Sequence, residues 1–340
     1  MPTKRILITG GAGFVGCNAA RYFQARNWGV TVLDNLSRQG TDKNLEWLRD
    51  GASFEFERVD IRDKANVDRV LSGQRYDAVL HLAAQVAVTT SVTDPSLDFA
   101  VNAMGTFHVL DAIRRFCPEA VFINASTNKV YGKIATAEYE LRDGRYAYVN
   151  RPFGINESEP LDFLSPYGCS KGAADQYALD FARIYQIPAT SFRQSCIYGP
   201  RQFGVEDQGW VAWFAIASLL GRDITIYGDG RQVRDVLHVH DLVRAYEAAI
   251  RSPDKVAAQA FNIGGGPGSI LSLLDLIGML EKRLKRSIPL NWGEWRPGDQ
   301  RIYVSDIRKL DATLGWTPEI DAGSGVAQLI DWVAQNRTVF

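Results

Sequence analysis

The chain has 340 residues, enough for two domains or for one large domain carrying a lobe. Its 38 Lys and Arg against 39 Asp and Glu leave a formal net charge of −1, so there is no electrostatic footprint for nucleic acid or for an anionic membrane surface. Hydrophobic residues at 46% and charged residues at 23% are ordinary for a globular protein and exclude a disordered or fibrous chain.

In chain order, Met-Pro-Thr-Lys-Arg passes directly into a strand at residues 5–9, which leaves no room for a signal peptide. A glycine-rich turn follows, Gly10-Gly11-Ala12-Gly13-Phe14-Val15-Gly16, and then an apolar-periodic helix to about Asn27. A second strand, residues 29–33, ends at Asp34. Further alternation predicts strands near 54–59, 77–82 and 120–125, with helices near 64–72 and 96–116. Residues 133–165 are irregular, rich in aromatics, prolines and glycines, and read as an ordered loop over the active site. A helix from Tyr167 to about Tyr185 and a strand at 189–193 come next, after which the elements shorten. The pattern predicts an α/β fold, a Rossmann-type doubly wound parallel sheet with a smaller C-terminal substrate-binding lobe. Residues 1–190, with 225–262 returning to them, form the nucleotide-binding domain; 191–224 and 263–340 form the lobe. The longest apolar run, Trp210 to Leu220, is too short to span a bilayer. Cys17, Cys117, Cys169 and Cys196 are scattered without a Cys-x-x-Cys, as expected of a cytoplasmic protein with no disulfide and no zinc.

The chemistry gathers at the carboxyl ends of the strands. Gly11, Gly13 and Gly16 satisfy G-x-G-x-x-G, and Gly10 extends it. Glycine there permits a sharp turn and close backbone approach to a pyrophosphate facing the helix N-terminus. Asp34, at the end of the next strand, suits the ribose hydroxyls of NAD and repels a 2′-phosphate. Arg38 is close enough to keep NADP as the alternative. Tyr167 and Lys171 lie four residues apart on one helix face, so the ammonium can favour the phenolate and bring the phenol toward a working pKa. Thr127, after the strand at 120–125, can donate a hydrogen bond to the reacting oxygen. His238-Val239-His240 invites a metal reading, but His81 and His108 fall elsewhere and no third ligand clusters with them, so no metal site is expected. Trp210 and Trp213 read as packing residues.

With these motifs in place the chain resembles the extended short-chain dehydrogenase/reductase family, among its nucleotide-sugar epimerases and dehydratases. The likeness rests on residues 9–16, Asp34-Asn35-Leu36-Ser37, Asp60-Ile61-Arg62, His81-Leu82-Ala83-Ala84, Asn102 with Gly105-Thr106, Tyr167/Lys171, Tyr198-Gly199-Pro200, Arg234-Asp235 and Arg296-Pro297-Gly298-Asp299. It implies a cofactor site of Gly10, Gly13, Phe14, Val15, Asp34, Asn35, Ser37 and Arg38 around the phosphates and adenosine ribose. Asp60 and Ile61 would flank the adenine. Ala83, Ala84 and Lys171 would hold the nicotinamide half, and Leu82, Gln85, Asn102 and Tyr167 belong to the same cofactor site. Arg234 and Arg296 would bind a substrate diphosphate, with Asp299, Gln202, Phe203, Gln208 and Thr127 in the substrate site. Family dehydratases carry an Asp-Glu pair after the catalytic threonine; here those positions hold Asn128 and Lys129, which argues against dehydration.

Three stretches resemble the family's epimerases acting on carbon 2 of CDP-sugars: 126–132, 161–177 and Arg201-Gln202-Phe203 with 207–211. That likeness implies redox-neutral inversion of carbon 2 through a 2-keto intermediate, CDP-paratose giving CDP-tyvelose or CDP-glucose giving CDP-mannose. It also implies a role in lipopolysaccharide O-antigen biosynthesis and a homodimer or homotetramer. The family asparagine before Tyr-Gly-Pro is replaced by Ser195-Cys196, so no base-recognition role is carried there. The alternatives are a UDP-hexose 4-epimerase with the same three catalytic residues and a catalytically silent NAD-binding regulator.

Overall fold

A computed structural model describes residues 4–51, 53–296 and 299–340. Pro297 and Gly298, part of the motif that begins at Arg296, lie outside the described residues. The strands in chain order are β1 (Arg5–Thr9), β2 (Gly29–Leu33), β3 (Glu55–Glu57), β4 (Ala78–His81) and β5 (Val121–Thr127), then β6 (Tyr139–Arg142) and β7 (Arg145–Tyr148). They continue with β8 (Ala189–Gln194), β9 (Cys196–Tyr198), β10 (Ile224–Tyr227), β11 (Val233–His238), β12 (Ala260–Ile263), β13 (Ile270–Ser272), β14 (Leu290–Gly293) and β15 (Ile302–Tyr303). Seven of them form one parallel sheet in the order β12-β8-β5-β4-β1-β2-β3.

Strand alternation explains why helices cover both faces. Ile6 and Ile8 of β1 pack with Val30, Val32, Phe23 and Leu242 on one face, under helices Phe14–Gln24 and Val239–Arg251. Leu7 between them points the other way, to Val79, Phe122, Leu110 and Ile113, under Lys64–Ser72, Gly105–Phe116 and Pro166–Tyr185. A strand buried on both faces reads as a continuous apolar run, as Ile-Leu-Ile does here. The strand order reverses between β1 and β4, so the loops leaving their carboxyl ends open a crevice, where open α/β sheets bind ligands.

A second body stands at that end. β11 pairs with β9, β13 and β15, and β10 pairs with β14. Helices Trp210–Leu220, Leu273–Leu284 and Ala322–Gln335 enclose a separate core that includes Phe214, Leu276 and Leu329. Within 225–262 the chain divides: β12 joins the main sheet beside β8, whereas β10 and β11 belong to the smaller sheets.

Two elements differ from the sequence reading. The helix expected over 96–116 is broken into Pro95–Phe99, a π-helical turn at Ala100–Met104 and Gly105–Phe116. The Thr106 hydroxyl donates to the Asn102 carbonyl at 2.6 Å, and Asn102 turns its side chain to other partners, so the ordinary ladder is interrupted at that point. Residues 133–165, read as irregular, contain the antiparallel hairpin β6–β7. Among the described residues no helix is long and apolar enough to cross a membrane.

Candidate active site

The glycine turn binds to its surroundings through backbone alone. Gly10 has φ +67°, and a Cβ there would lie 2.7 Å from the Ala83 nitrogen, so the turn and the loop after β4 approach as closely as two main chains can. A Cβ on Gly16 would lie 2.2 Å from the Gly10 carbonyl oxygen. Gly13 begins helix Phe14–Gln24, and no side chain caps that end, which leaves first-turn amides free for an anion. Val15 packs on the core beneath, and the Phe14 carbonyl accepts from Asn18 at 2.8 Å. Asp34 is buried, and its carboxylate accepts from the amides of Ala12 at 3.0 Å and Leu36 at 2.8 Å. Burial raises its pKa against those hydrogen bonds. These features fit a dinucleotide, with the diphosphate at the bare helix end and the adenosine ribose beside Asp34.

Asn35 donates to Asp60 at 2.9 Å and accepts from the Ser37 amide at 3.0 Å. The Asp60 carboxylate is held down to about 2, chiefly by its hydrogen bonds with Arg62. Ile61 packs against Gly105. The Arg38 guanidinium donates to Gln208 at 2.9 Å, joining the loop after β2 to the smaller body. On the other side of the crevice Leu82 and Ala83 lean on the two faces of the core, Ala84 is partly buried, and Gln85 is clamped by Asn102, which accepts from its amide at 2.9 Å.

Thr127 ends β5, and Tyr167 and Lys171 occupy the first turns of helix Pro166–Tyr185, packed directly against that strand. The helix starts here because Ser165 caps it, accepting from the Gly168 amide at 3.0 Å, and Pro166 follows at the first helical position. All three functional side chains are buried. Burial pushes the Tyr167 phenol up to about 12, while a hydrogen bond with Thr127 pulls it down. The sequence reading has Lys171 lowering that phenol; the ammonium instead donates to the Ala125 carbonyl at 2.6 Å, and Asp175 and Asp98 are the acidic groups acting on it. Burial lowers Lys171 itself to about 8.

Facing this group, Arg234 donates to Asp299 at 2.5 Å and to the Val233 carbonyl. Arg296 pairs with Asp207 at 3.0 Å and lies 4.0 Å over the Tyr227 ring. Gln202 is buried and donates to the Ile197 carbonyl at 3.3 Å. Phe203 turns its ring to Trp332 and Phe340, so it serves the packing of the C-terminal aromatics. Asn128 is buried behind Thr127, whose hydroxyl donates to it at 3.4 Å. His238 accepts from the His240 amide and caps the helix it precedes, and among the described residues no group of three acidic, His or Cys side chains is placed to hold a metal.

Sequence reasoning missed the residues that hold Thr127, Tyr167 and Lys171 in place. Ser170 donates to Asp98 at 2.5 Å, and Asn102 donates to both, tying the helix Pro166–Tyr185 to the π-helical turn. One turn beyond Lys171, Asp175 and Arg193 form a buried pair at 2.9 Å that also holds Ser191 and Tyr131. Ser170, lying between Tyr167 and Lys171, carried a positional signal; Asp98 and Arg193 carried none, because their partners are distant in sequence.

Residues 6–264 match the profile of the NAD dependent epimerase/dehydratase family. Over 335 residues the chain is 43% identical to a CDP-paratose 2-epimerase of Salmonella typhi, covering 97% of this chain and 99% of the relative. It is similar in structure to a UDP-glucose 4-epimerase of Thermotoga maritima solved with UDP-glucose, at TM-score 0.83 and 30% identity over 98% of this chain and 99% of that one. A UDP-glucose 4-epimerase of Thermus thermophilus in complex with NAD superposes at TM-score 0.81 and 32% identity, over 96% and 98% of the two chains.

Proposed function

Because this chain belongs to the NAD dependent epimerase/dehydratase family, we propose that it inverts carbon 2 of a CDP-sugar, converting CDP-paratose to CDP-tyvelose and acting also on CDP-glucose. The reaction class is carried by one observation: Thr127, Tyr167 and Lys171 meet at the end of β5 with Asn128 and Lys129 where a dehydratase needs its acid and base. The choice of carbon 2 is supported by the near full-length likeness to a CDP-paratose 2-epimerase.

Gly10, Gly13, Asp34, Asn35 and the Leu82–Gln85 loop would hold NAD, which when bound would supply a hydride acceptor for carbon 2 and a hydride donor to its opposite face, so that the cycle is redox-neutral. Tyr167 takes the proton from the carbon 2 hydroxyl as that carbon is oxidised, and returns it to the 2-keto oxygen once the sugar has turned over. Thr127 donates a hydrogen bond to the developing carbonyl oxygen. Lys171, held by the Ala125 carbonyl, would hydrogen-bond the nicotinamide ribose. Arg234 and Arg296 hold the diphosphate, so the sugar alone turns over. The protein acts as a homodimer or homotetramer in the cytoplasm, a reducing compartment that suits its four free cysteines. Its product serves O-antigen synthesis.

Purified protein incubated with CDP-paratose, CDP-glucose or UDP-glucose without added NAD is expected to exchange the carbon 2 configuration of the CDP-sugars, read by the H1–H2 coupling in proton NMR. Turnover of UDP-glucose alone, at carbon 4, would establish the rival activity instead.

A further inference from the structure

Lys129 follows the catalytic threonine by two residues and has no part in the scheme above. Its amide donates to Thr127 Oγ1 at 3.3 Å, and its carbonyl oxygen lies 3.3 Å from where a Cβ on Gly168 would sit. Its main chain is therefore wedged between Thr127 and the first turn of the catalytic helix. Its side chain leads away from there, into the fields of Arg234, Asp299 and Cys196 on the opposite wall. The ammonium has no hydrogen-bond or ion-pair partner among the described residues, whereas Arg234 is already paired with Asp299. A partly buried cation without a counter-ion is costly unless a ligand supplies the charge.

The chemistry of a sugar nucleotide says which ligand. The diphosphate hangs from carbon 1. An enzyme acting at carbon 4 brings the far side of the ring to its tyrosine and keeps the phosphate a ring's width away. An enzyme acting at carbon 2 oxidises the atom bonded to carbon 1, so the sugar-linked phosphate arrives close to the reacting hydroxyl. The second arrangement calls for a further cation between the threonine and Arg234, which is the side toward which the Lys129 side chain leads.

We propose that Lys129 binds the sugar-linked β-phosphate of the substrate and thereby selects carbon 2 for presentation to Tyr167, an inference that rests on the carbon 2 reading. Burial and the neighbouring Arg234 lower the ammonium to about 8, and a phosphate placed there would hold it protonated.

The test is calorimetric titration of the NAD-loaded protein with CDP and with CMP, for wild type, Lys129→Met and Lys129→Arg. CDP has the β-phosphate and CMP lacks it. Lys129→Met is expected to weaken CDP roughly tenfold or more, the scale of one charged hydrogen bond, with CMP unchanged and Lys129→Arg retaining most of the CDP affinity. Equal losses for CDP and CMP, or no loss for either, would overturn the assignment. Should Lys129→Met fail to fold, as judged by melting and bound NAD, Lys129→Gln is read in the same way. Wild-type turnover of CDP- and UDP-sugars judges the carbon 2 reading separately, since the CDP-to-CMP ratio needs no turnover.

Discussion

At Tyr167 two influences oppose each other: burial raises the phenol to about 12, and Thr127 pulls it back. A phenol held protonated in the resting site must give up that proton before it can accept one from the substrate, and coupling that acceptance to hydride departure spares the site a free alkoxide. Tyr167→Phe removes only the hydroxyl and leaves the packing around a buried ring. We expect kcat to fall by roughly 10²- to 10⁴-fold, the usual scale of general acid–base catalysis, with bound NAD and the KM for CDP-sugar little changed. Single-turnover measurements with absorbance at 340 nm would check this, because loss of NAD from the purified variant would instead mark Tyr167 as a binding residue.

At the scale of elements, His81 shows how the sheet fixes the cofactor loop. It ends β4, fully buried, with Nδ1 2.8 Å from the Thr9 hydroxyl of β1 and Nε2 2.9 Å from the Thr106 hydroxyl. Thr106 gives its proton to the Asn102 carbonyl, so it accepts from Nε2–H, and Thr9, which accepts from the Ala83 amide at 3.3 Å, donates to Nδ1. This network holds one neutral tautomer, and burial lowers the imidazole from 6.5 to about 3. The unfolded chain takes up a proton near pH 6.5 and the folded chain not until about 3, so this stability is present above pH 6.5 and is lost, by up to a few kcal/mol, as the pH falls toward 3. His81→Asn should be less stable at pH 7 yet lose less on acidification to about pH 5, as denaturant midpoints at the two pH values would show. A parallel slope in both proteins would rule out His81 as the source. The alternation of strands and helices and the glycine turn were legible in the sequence because period and spacing are local. The π-helical turn at Ala100–Met104 was not, since nothing local distinguishes Asn102 from any helical asparagine until Gln85 and Asp98 are brought to it. Thr127, Tyr167 and Lys171 were legible as a group, but the partner that Lys171 takes, a backbone carbonyl, has no sequence signal at all.

At the scale of the whole molecule, the helix Pro166–Tyr185 has two faces that its length keeps apart. Its first turns carry Tyr167 and Lys171, while farther along Tyr177 (48% exposed), Ile184 (64%) and Tyr185 (46%) stand in solvent. The adjoining segment adds Phe99 at 55% and Met104 at 42%. Phe107 meets Tyr177 edge to face, and Arg114 lies over Tyr185, so part of this apolar face is a packed cluster of side chains. Two antiparallel helix pairs brought together about a two-fold axis would bury that surface, and the same residues on each copy would meet. The sheet edge offers less, since β3 is three residues long and carries two glutamates. We therefore expect wild-type protein to sediment as a dimer or tetramer, and Ile184→Glu combined with Met104→Glu to shift it toward monomer, because four charges would then face one another across the axis. Bound NAD should be retained in the double variant, since neither residue touches the glycine turn or Asp34. Sedimentation velocity with the absorbance spectrum recorded on the same boundary reads both quantities together. An unchanged sedimentation coefficient would place the interface on another face, and a monomeric wild type would leave these apolar side chains without a copy of the chain to cover them.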